Sequence, residues 1–199
     1  MPDDYTYDVF LSYRRANPVG DWVHNHFHPL LAEWLPQVMP RDPKLFIDTR
    51  SIETADDWPL KLQQALRGSR CVVAVWSANY FRSPWCVAEW RSMLKREEKL
   101  GYRTEDRTRG LVYPVVFFDG EHFPSEAKRT QSKDLRRWSN PDLSFRNTQD
   151  FLGFTQEIKT IAGEIWEMVD QAPPWQPDWP IIIPDQQDET ISVTLPRLQ

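Results

Sequence analysis

Short apolar runs alternate along the chain with segments whose apolar residues recur at helical spacing. The first run, residues 7–12, is rich in strand-forming side chains and gives way to polar residues 13–15, a pattern typical of a buried strand that ends at a functional edge. Asp21 can cap the helix that follows. The apolar positions of this helix recur every three to four residues or nearly so: Trp22, Phe27, Leu30, Leu31, Trp34 and Leu35. We therefore predict a first strand and a first helix, and we expect Pro29 to distort the helix.

The alternation continues up to residue 76. A proline-bearing loop, residues 36–43, is expected to lead into a second strand at residues 45–47. Pro59 suits the first turn of a second helix, and Gly68 is expected to end that helix in the left-handed conformation. A third, strongly apolar strand is predicted directly afterwards, at residues 71–76.

The second half of the chain has the same character. We predict a helix at residues 84–100 and a fourth strand at residues 111–118, in which Pro114 is the one discordant residue. Residues 119–146 predict a long loop with room for one short helix, and residues 151–168 a clearly amphipathic helix. Apolar strands that alternate with helices indicate an α/β protein with a parallel sheet buried on both faces.

The composition changes after Asp170, where Pro, Trp, Asp and Gln predominate. The chain of 199 residues is of a size that suits one core, and it has no internal repeat. We therefore predict one domain at residues 1–170 and a Pro- and Trp-rich tail at residues 171–199 that packs on it.

The charge pattern argues against two classes of partner. The net charge is −5 and Lys and Arg form no concentrated stripe, so binding to nucleic acid is not expected. No apolar run approaches the ~18 residues of a membrane span, and the acidic start does not resemble a signal peptide. We expect no membrane contact and a cytoplasmic protein. The two cysteines, Cys71 and Cys86, are too few for a disulfide framework.

Three sequence boxes carry a family resemblance. The run Asp8-Val9-Phe10-Leu11-Ser12-Tyr13-Arg14-Arg15 resembles the opening box of TIR (Toll/interleukin-1 receptor) domains, and Trp85-Cys86-Val87-Ala88-Glu89 resembles their helix motif Trp-Cys-x-x-Glu. The strand end Phe46-Ile47-Asp48 agrees with the same family. The resemblance covers roughly residues 5–170, and the three ordered boxes together are more specific than any one of them alone. The resemblance implies a flavodoxin-like fold: a central parallel sheet of about five strands between two layers of helices.

The resemblance also implies an activity, because some TIR domains cleave NAD⁺. Such members carry a glutamate four residues after a tryptophan on this helix, as Glu89 follows Trp85. Residues i and i+4 share a helix face, so the indole could stack on nicotinamide while the carboxylate meets the adjoining ribose. A carboxylate stabilises the positive charge that develops as the nicotinamide–ribose bond breaks, and the neutral nicotinamide leaves without a general acid. Glu89 is therefore the predicted catalytic residue, with NAD⁺ as substrate and no cofactor.

Further substrate-binding residues follow from position and resemblance. The carboxyl ends of parallel strands are where ligands bind, which places Tyr13, Arg14, Arg15 and Asp48 at the site. The family's loop after the second strand carries a glutamate and an aromatic residue that meet the nucleotide, and these match Glu53 and Trp58. This loop departs from the glycine-bearing form of many members, since it reads Thr54-Ala55-Asp56.

Structural roles are open for most of these residues. Arg14 and Arg15 suit a pyrophosphate, but they could equally form salt bridges with Asp48 or Glu53. Trp85 could anchor its helix in the core, and Trp58 could begin the buried stripe of the next helix.

A metal site is not expected. His24, His26 and His28 are close in sequence, but no carboxylate or cysteine completes a ligand set near them. We expect these histidines to lie at a helix surface.

Two other functions are compatible with the pattern. One is a non-catalytic TIR adaptor that acts by homotypic assembly, and the other is a phosphoacceptor receiver domain that uses Asp48. A receiver needs an acidic metal pocket beside the first strand, where Arg14 and Arg15 stand instead. The resemblance favours an NAD⁺-cleaving, stand-alone bacterial-type protein that works in immune or anti-phage defence as a homo-oligomer. It leaves open whether the product is ADP-ribose, a cyclised form or a transfer product.

Overall fold

The computed structural model describes residues 4–48, 58–102, 104, 110–118 and 120–184, and for Trp58 the backbone alone. Five parallel strands form one sheet in the order β2-β1-β3-β4-β5. The strands are β1 (Tyr7–Tyr13), β2 (Leu45–Ile47), β3 (Ser69–Trp76), β4 (Val112–Val116) and β5 (Lys133–Asp134). This order is that of the flavodoxin-like folds, so the predicted fold class is confirmed.

Helices cover both faces of the sheet. They are α1 (Val19–Trp22), α2 (His28–Val38), α3 (Trp58–Arg67), α4 (Ala78–Phe81), α5 (Pro84–Lys99), α6 (Ser125–Arg129) and α7 (Gln149–Asp170). A π-helical turn, Val23–Phe27, joins α1 to α2, and two 3₁₀ turns, Arg136–Trp138 and Leu143–Asn147, precede α7.

Alternate residues of strands β1 to β4 enter two separate cores. In β3, Cys71, Val73 and Val75 face one core, which we call the α2/α7 core, while Val72 and Ala74 face the other, the α3/α5 core. This follows from the two-residue period of side chains along a strand. The result is a three-layer sandwich with the sheet in the middle.

The first helical segment is distorted before Pro29, as predicted, but differs from the prediction at Pro36. The turn that precedes Pro29 is widened to a π-helix, because proline lacks an N–H and its ring would crowd the carbonyl of Asn25. Pro36, expected to open a loop, instead lies inside the last turn of α2. The helical hydrogen bonding continues past Pro36, because the Met39 N–H donates to the Leu35 carbonyl at 3.0 Å.

Gly68 does not end α3 in the left-handed conformation, which among the described glycines is adopted by Gly101. Gly68 instead lies where the chain approaches β1 closely. Its carbonyl accepts hydrogen bonds from the N–H groups of Thr6 and Tyr7, both at 2.9 Å, and a Cβ at this position would lie 3.1 Å from Thr6 Oγ1. Glycine suits position 68 because the chain approaches Thr6 closely there, and not because of its backbone angle.

Pro114 is compatible with β4 because of the direction of its nitrogen. Phe117 N–H donates to the Trp76 carbonyl in β3 at 2.9 Å, so by the alternation of a strand the nitrogen of Pro114 points away from β3. On that side β5 pairs only with Val115 and Val116. The N–H group that proline lacks would therefore lie on the side of β5, where the strand pairing does not include residue 114.

Residues 171–184, the described part of the tail, pack on the body, as expected. Trp179 is buried against α5, where Arg96 stacks over its ring at 4.8 Å, and the Ile182 N–H donates to Ser92 Oγ at 2.8 Å. We call residues 173–184 the C-terminal strap. The predicted domain boundary at residue 170 remains a prediction.

Candidate active site

Polar residues from three elements meet at the carboxyl edge of the sheet. β1 ends at Tyr13 and continues into residues 14–15, and Asp48 follows β2 directly. Leu11 of β1 lies opposite Ile47 of β2, so the residues beyond each strand emerge side by side. The amino end of α5 lies beside them. This edge is where open parallel sheets bind their ligands.

A cavity of about 440 Å³ opens at this edge. Its walls come from β1 and the residues beyond it, from the end of β2 and from the first two turns of α5: Phe10, Leu11, Tyr13, Arg14, Arg15, Ala16, Asp48, Ser83, Trp85, Cys86 and Glu89. Six of the residues predicted for the site therefore line a single cavity: Tyr13, Arg14, Arg15, Asp48, Trp85 and Glu89. The volume falls in the range of small-molecule sites.

Glu89 is a buried carboxyl group in the wall of this cavity, 8% exposed. Ser12, on β1, donates a hydrogen bond of 2.5 Å from its Oγ to Glu89 Oε2. Burial raises the pKa of Glu89 to about 7, although the Ser12 hydrogen bond and the charge of Arg15 both act to lower it. The group can therefore change its charge near neutral pH, a property common among catalytic carboxyls.

Trp85 contacts the core and also lines the cavity, and its stacking on nicotinamide remains a prediction. It is half-buried, it lines the cavity one helical turn before Glu89, and it packs against the α3/α5 core. One face of α5 thus presents an indole and a carboxyl group to the same space.

The two arginines have different surroundings. Arg15 forms an ion pair with Asp48, which confirms the salt bridge considered for this residue. Arg14 is exposed at the rim of the cavity, where its Nη1 donates to Ser83 Oγ at 3.5 Å. Of the two, Arg14 is the guanidinium better placed for an anionic ligand.

Tyr13 is part of the wall between the cavity and the helical layer. Its hydroxyl donates to the Asp48 carbonyl at 3.2 Å and lies 2.8 Å from Nε2 of His24. Burial raises the pKa of Tyr13 to about 12, so the phenol is neutral at physiological pH.

Two predicted site residues are not placed by the structure. Glu53 lies outside the described residues. Trp58 is the first residue of α3, and its side chain also lies outside the description. Contact of these two with a nucleotide remains a prediction.

Three residues at or behind the site were not predicted as site residues. Ser12 was part of the opening box, but its direction could not be told from the strand pattern. Ser83, which precedes Pro84, caps α5 by accepting the Cys86 N–H at 3.4 Å, and a serine before a proline is a detectable helix-start signal. Tyr80 lies behind Ser12, with its hydroxyl 2.8 Å from Ser12 Oγ, and no local pattern indicates this.

The expectation of surface histidines is wrong for His26. This residue is fully buried, with Nε2 2.9 Å from the Asp142 carbonyl oxygen and its ring edge-on to Phe145 at 5.3 Å. The residues after β5 fold over this part of the helix, which the helical pattern alone does not reveal. Among the described residues, no three His, Cys, Asp or Glu side chains cluster as metal ligands would.

In the described part of the chain, none of the helices combines the length and apolarity needed to cross a membrane.

Comparisons with known proteins agree with the resemblance. Residues 9–148 match the family model described as the TIR domain. Over a stretch of 117 residues, the chain is 27% identical to the disease resistance protein RPV1 of Vitis rotundifolia. This stretch covers 59% of this chain and 7% of that protein.

Two solved structures are also similar. One is that of the TIR domains in the activated Roq1 resistosome, which directly recognises the pathogen effector XopQ, with a TM-score of 0.41 and 21% identity over 84% of this chain and 86% of the other. The other is the TIR domain of the Toll-related receptor TRR-2 from Hydra magnipapillata, with a TM-score of 0.47 and 17% identity over 77% of this chain and 99% of the other.

Proposed function

The chain belongs to the TIR domain family, and on this premise we propose that it is an NAD⁺ nucleosidase with Glu89 as its catalytic carboxylate. The observation that carries the proposal is the position of Glu89: a buried carboxyl group in the wall of a cavity, one helical turn from Trp85. The reaction breaks the bond between nicotinamide and ribose. It releases nicotinamide, and the ribose carbon then forms a bond to water, which loses a proton and gives ADP-ribose, to a group of the same molecule, which gives a cyclised ADP-ribose, or to an acceptor molecule, which gives a transfer product.

The reaction needs one main catalytic group from the protein, a carboxylate close to the ribose. As the bond breaks, positive charge develops on the ribose, and the ionised carboxylate of Glu89 stabilises it in a partly desolvated site. Nicotinamide departs as a neutral ring, so no proton has to be donated to it. NAD⁺ is a substrate here, and the proposal includes no metal ion or further cofactor.

The remaining cavity residues support binding of the same substrate. Trp85 offers an aromatic face for the nicotinamide ring, and Arg14 offers a guanidinium at the rim for the pyrophosphate. The Arg15–Asp48 ion pair joins the chain beyond β1 to the chain beyond β2. The nicotinamide riboside half would occupy the 440 Å³ cavity, with the phosphates at its mouth.

We also propose the setting in which the activity is used. The disease resistance protein to which the chain is similar suggests immune defence, and the family suggests a cytoplasmic homo-oligomer in which TIR domains contact one another. A bacterial-type protein in anti-phage defence is the form we favour.

The test is chromatographic. Purified protein at high concentration is incubated with NAD⁺, and all nucleotides and bases are separated and identified over time. The matched control is Glu89→Gln, which keeps the size and hydrogen-bonding capacity of the side chain but has no charge. We expect nicotinamide release by the wild type and a loss of at least ~100-fold in the variant, since one carboxylate stabilises the transition state.

The pH dependence is a second part of this test. The ionised form of Glu89 is the active one and its pKa is about 7, so kcat/KM should rise as the pH increases through that value. Release that is equal in wild type and Glu89→Gln would remove Glu89 from the mechanism. No release by the wild type, even with crowding agents that promote assembly, would favour a non-catalytic adaptor instead.

A further inference from the structure

A chain of two hydrogen bonds runs behind the cavity and ends on Glu89. The hydroxyl of Tyr80 lies 2.8 Å from Ser12 Oγ, and Ser12 Oγ donates to Glu89 Oε2 at 2.5 Å. The three residues come from α4, β1 and α5, and their exposed fractions are 0%, 1% and 8%. Three elements that are distant in sequence thus meet in one buried polar chain.

When Glu89 is ionised, the direction of this chain follows from counting protons. A serine hydroxyl carries a single proton, and that of Ser12 is used in the hydrogen bond to Glu89. The shared proton between Tyr80 and Ser12 must then come from Tyr80. The order is Tyr80 Oη–H to Ser12 Oγ–H to Glu89 Oε2, and each donor polarises the next.

We propose that Ser12 and Tyr80 are positioning residues for the Glu89 carboxylate, which hold Oε2 on the buried side so that Oε1 is left for the substrate. Neither residue touches the reacting atoms. Ser12 acts directly on Glu89, and Tyr80 acts through Ser12. The catalytic role of Ser12 and Tyr80 rests on the proposed function, whereas the two hydrogen bonds that link them to Glu89 do not.

Several other charged and titratable groups lie close to Glu89. Those that share the cavity with it are Tyr13, Arg14, Arg15, Asp48 and Cys86, and His24 lies behind Tyr13. Burial raises the pKa values of Tyr13 and Cys86 to about 12, and that of Tyr80 well above its usual value of 10. These three groups stay neutral across the range in which Glu89 titrates.

Loss of the Ser12 hydroxyl should make the ionised carboxylate harder to form. A hydrogen bond to a charged group stabilises it, so Ser12→Ala should move the acid limb of kcat/KM to higher pH by about one unit. Tyr80→Phe should move it in the same direction by less, because Ser12 can still donate. Since Tyr80 acts through Ser12, the double variant should resemble Ser12→Ala alone.

The experiment has a readout that needs no turnover. The side-chain carboxyl carbon of Glu89 is followed by ¹³C NMR between pH 4 and pH 9 in the whole 199-residue chain, with its signal assigned by its absence from Glu89→Gln. The control is Ser69→Ala, another fully buried serine. In the register of β1 and β3, Tyr7 pairs with Ser69 and Ser12 pairs with Ala74. Ser69 therefore lies five residues, or about 17 Å, from Ser12 along the strand direction.

The expected result is an upward displacement of the Glu89 titration in Ser12→Ala, a smaller one in Tyr80→Phe, and none in Ser69→Ala. An unchanged Glu89 titration in folded Ser12→Ala would overturn the proposal, as would an effect of Tyr80→Phe that adds fully to that of Ser12→Ala. Because Tyr80→Phe keeps the ring and its packing on Phe81, it tests the chain even if Ser12→Ala folds poorly. The NMR displacement without any NAD⁺ cleavage would support the positioning role while rejecting the proposed function.

Discussion

At the scale of single residues, the surroundings decide what each polar side chain can do. Glu89 and Glu97 lie on the same helix and are both buried, but their partners differ. Glu97 accepts the backbone N–H groups of Leu111 and Val112 and ties α5 to β4. Glu89 is held by one serine hydroxyl and faces a cavity. The same side-chain type is thus structural at one position and available for chemistry two turns earlier.

The burial of Glu89 predicts a pH-dependent stability. Its pKa is about 7 in the folded protein and near 4.5 when unfolded, so the stabilisation present below about pH 4.5 is lost as the pH rises to 7. Above pH 7 the ionised group costs about 3 kcal/mol. Relative to wild type, Glu89→Gln should therefore gain about 3 kcal/mol in free energy of unfolding between pH 4 and pH 8.

Urea unfolding at both pH values measures this difference. Glu126→Gln, which removes an exposed carboxylate on α6, controls for the general effect of one charge. A difference between wild type and Glu89→Gln that does not change with pH would contradict the raised pKa.

The position of Arg14 predicts a binding defect. Its guanidinium is exposed at the cavity rim, so Arg14→Ala should raise KM for NAD⁺ about tenfold with little change in kcat. Steady-state kinetics measure both parameters. Arg82→Ala, which removes a nearby exposed arginine that does not line the cavity, is the control. An unchanged KM in Arg14→Ala would assign Arg14 to the surface.

At the scale of elements, one helix start organises much of the site. Ser83 caps α5, and the first two turns then place Trp85, Cys86 and Glu89 along the cavity. Pro84 suits the first helical position because its missing N–H would have no partner there. The geometry of the carboxylate therefore depends on where this helix begins.

Two helix caps make a matched pair for testing this dependence. Ser83 and Thr148 cap α5 and α7 in the same way, each accepting a backbone N–H with its side-chain oxygen. Ser83→Ala and Thr148→Ala should each lower the free energy of unfolding by about 1 kcal/mol. Only Ser83→Ala should also raise KM for NAD⁺, since Ser83 holds Arg14 and lines the cavity.

The measurements are urea unfolding and steady-state kinetics on both variants. Equal KM values in the two variants would mean that the α5 cap has a structural role alone.

At the scale of the whole molecule, the body includes more than the α/β elements. The C-terminal strap packs along α5, with Asp178 paired to Lys99 and Ile181 packed against the α3/α5 core. Arg96, itself buried, is sandwiched between the strap and the carbonyls of Leu66 and Ser69. The strap thus helps to fix the helix that carries Glu89.

Trp179 is the residue of the strap whose loss should matter most. It is 2% exposed, so Trp179→Ala should lower the free energy of unfolding by about 3 kcal/mol or more. Leu152→Ala, at a site that is 72% exposed, should change it by less than about 0.5 kcal/mol. Urea unfolding compares the two, and similar small values would show that the strap does not belong to the folded unit.

Local patterns in the sequence determined the elements and the grouping of the candidate residues. Strands β1 to β4 and helices α3, α5 and α7 were predictable, because each is long enough for its apolar period or cap signal to be read. The spacing of Trp85 and Glu89 is likewise local, since residues one helical turn apart share a face. The convergence of Arg14, Asp48 and Glu89 followed from the rule that parallel strands present their carboxyl ends together.

Other features were decided by tertiary structure alone. The two-residue strand β5 has too few residues for any period, and His26 became buried only because the residues after β5 fold over it. The pairing of Arg15 with Asp48, and the chain from Tyr80 through Ser12 to Glu89, join residues 33 to 77 positions apart along the sequence. Such contacts depend on the distance and direction of side chains in the packed molecule, which the order of residues along one strand or helix does not specify.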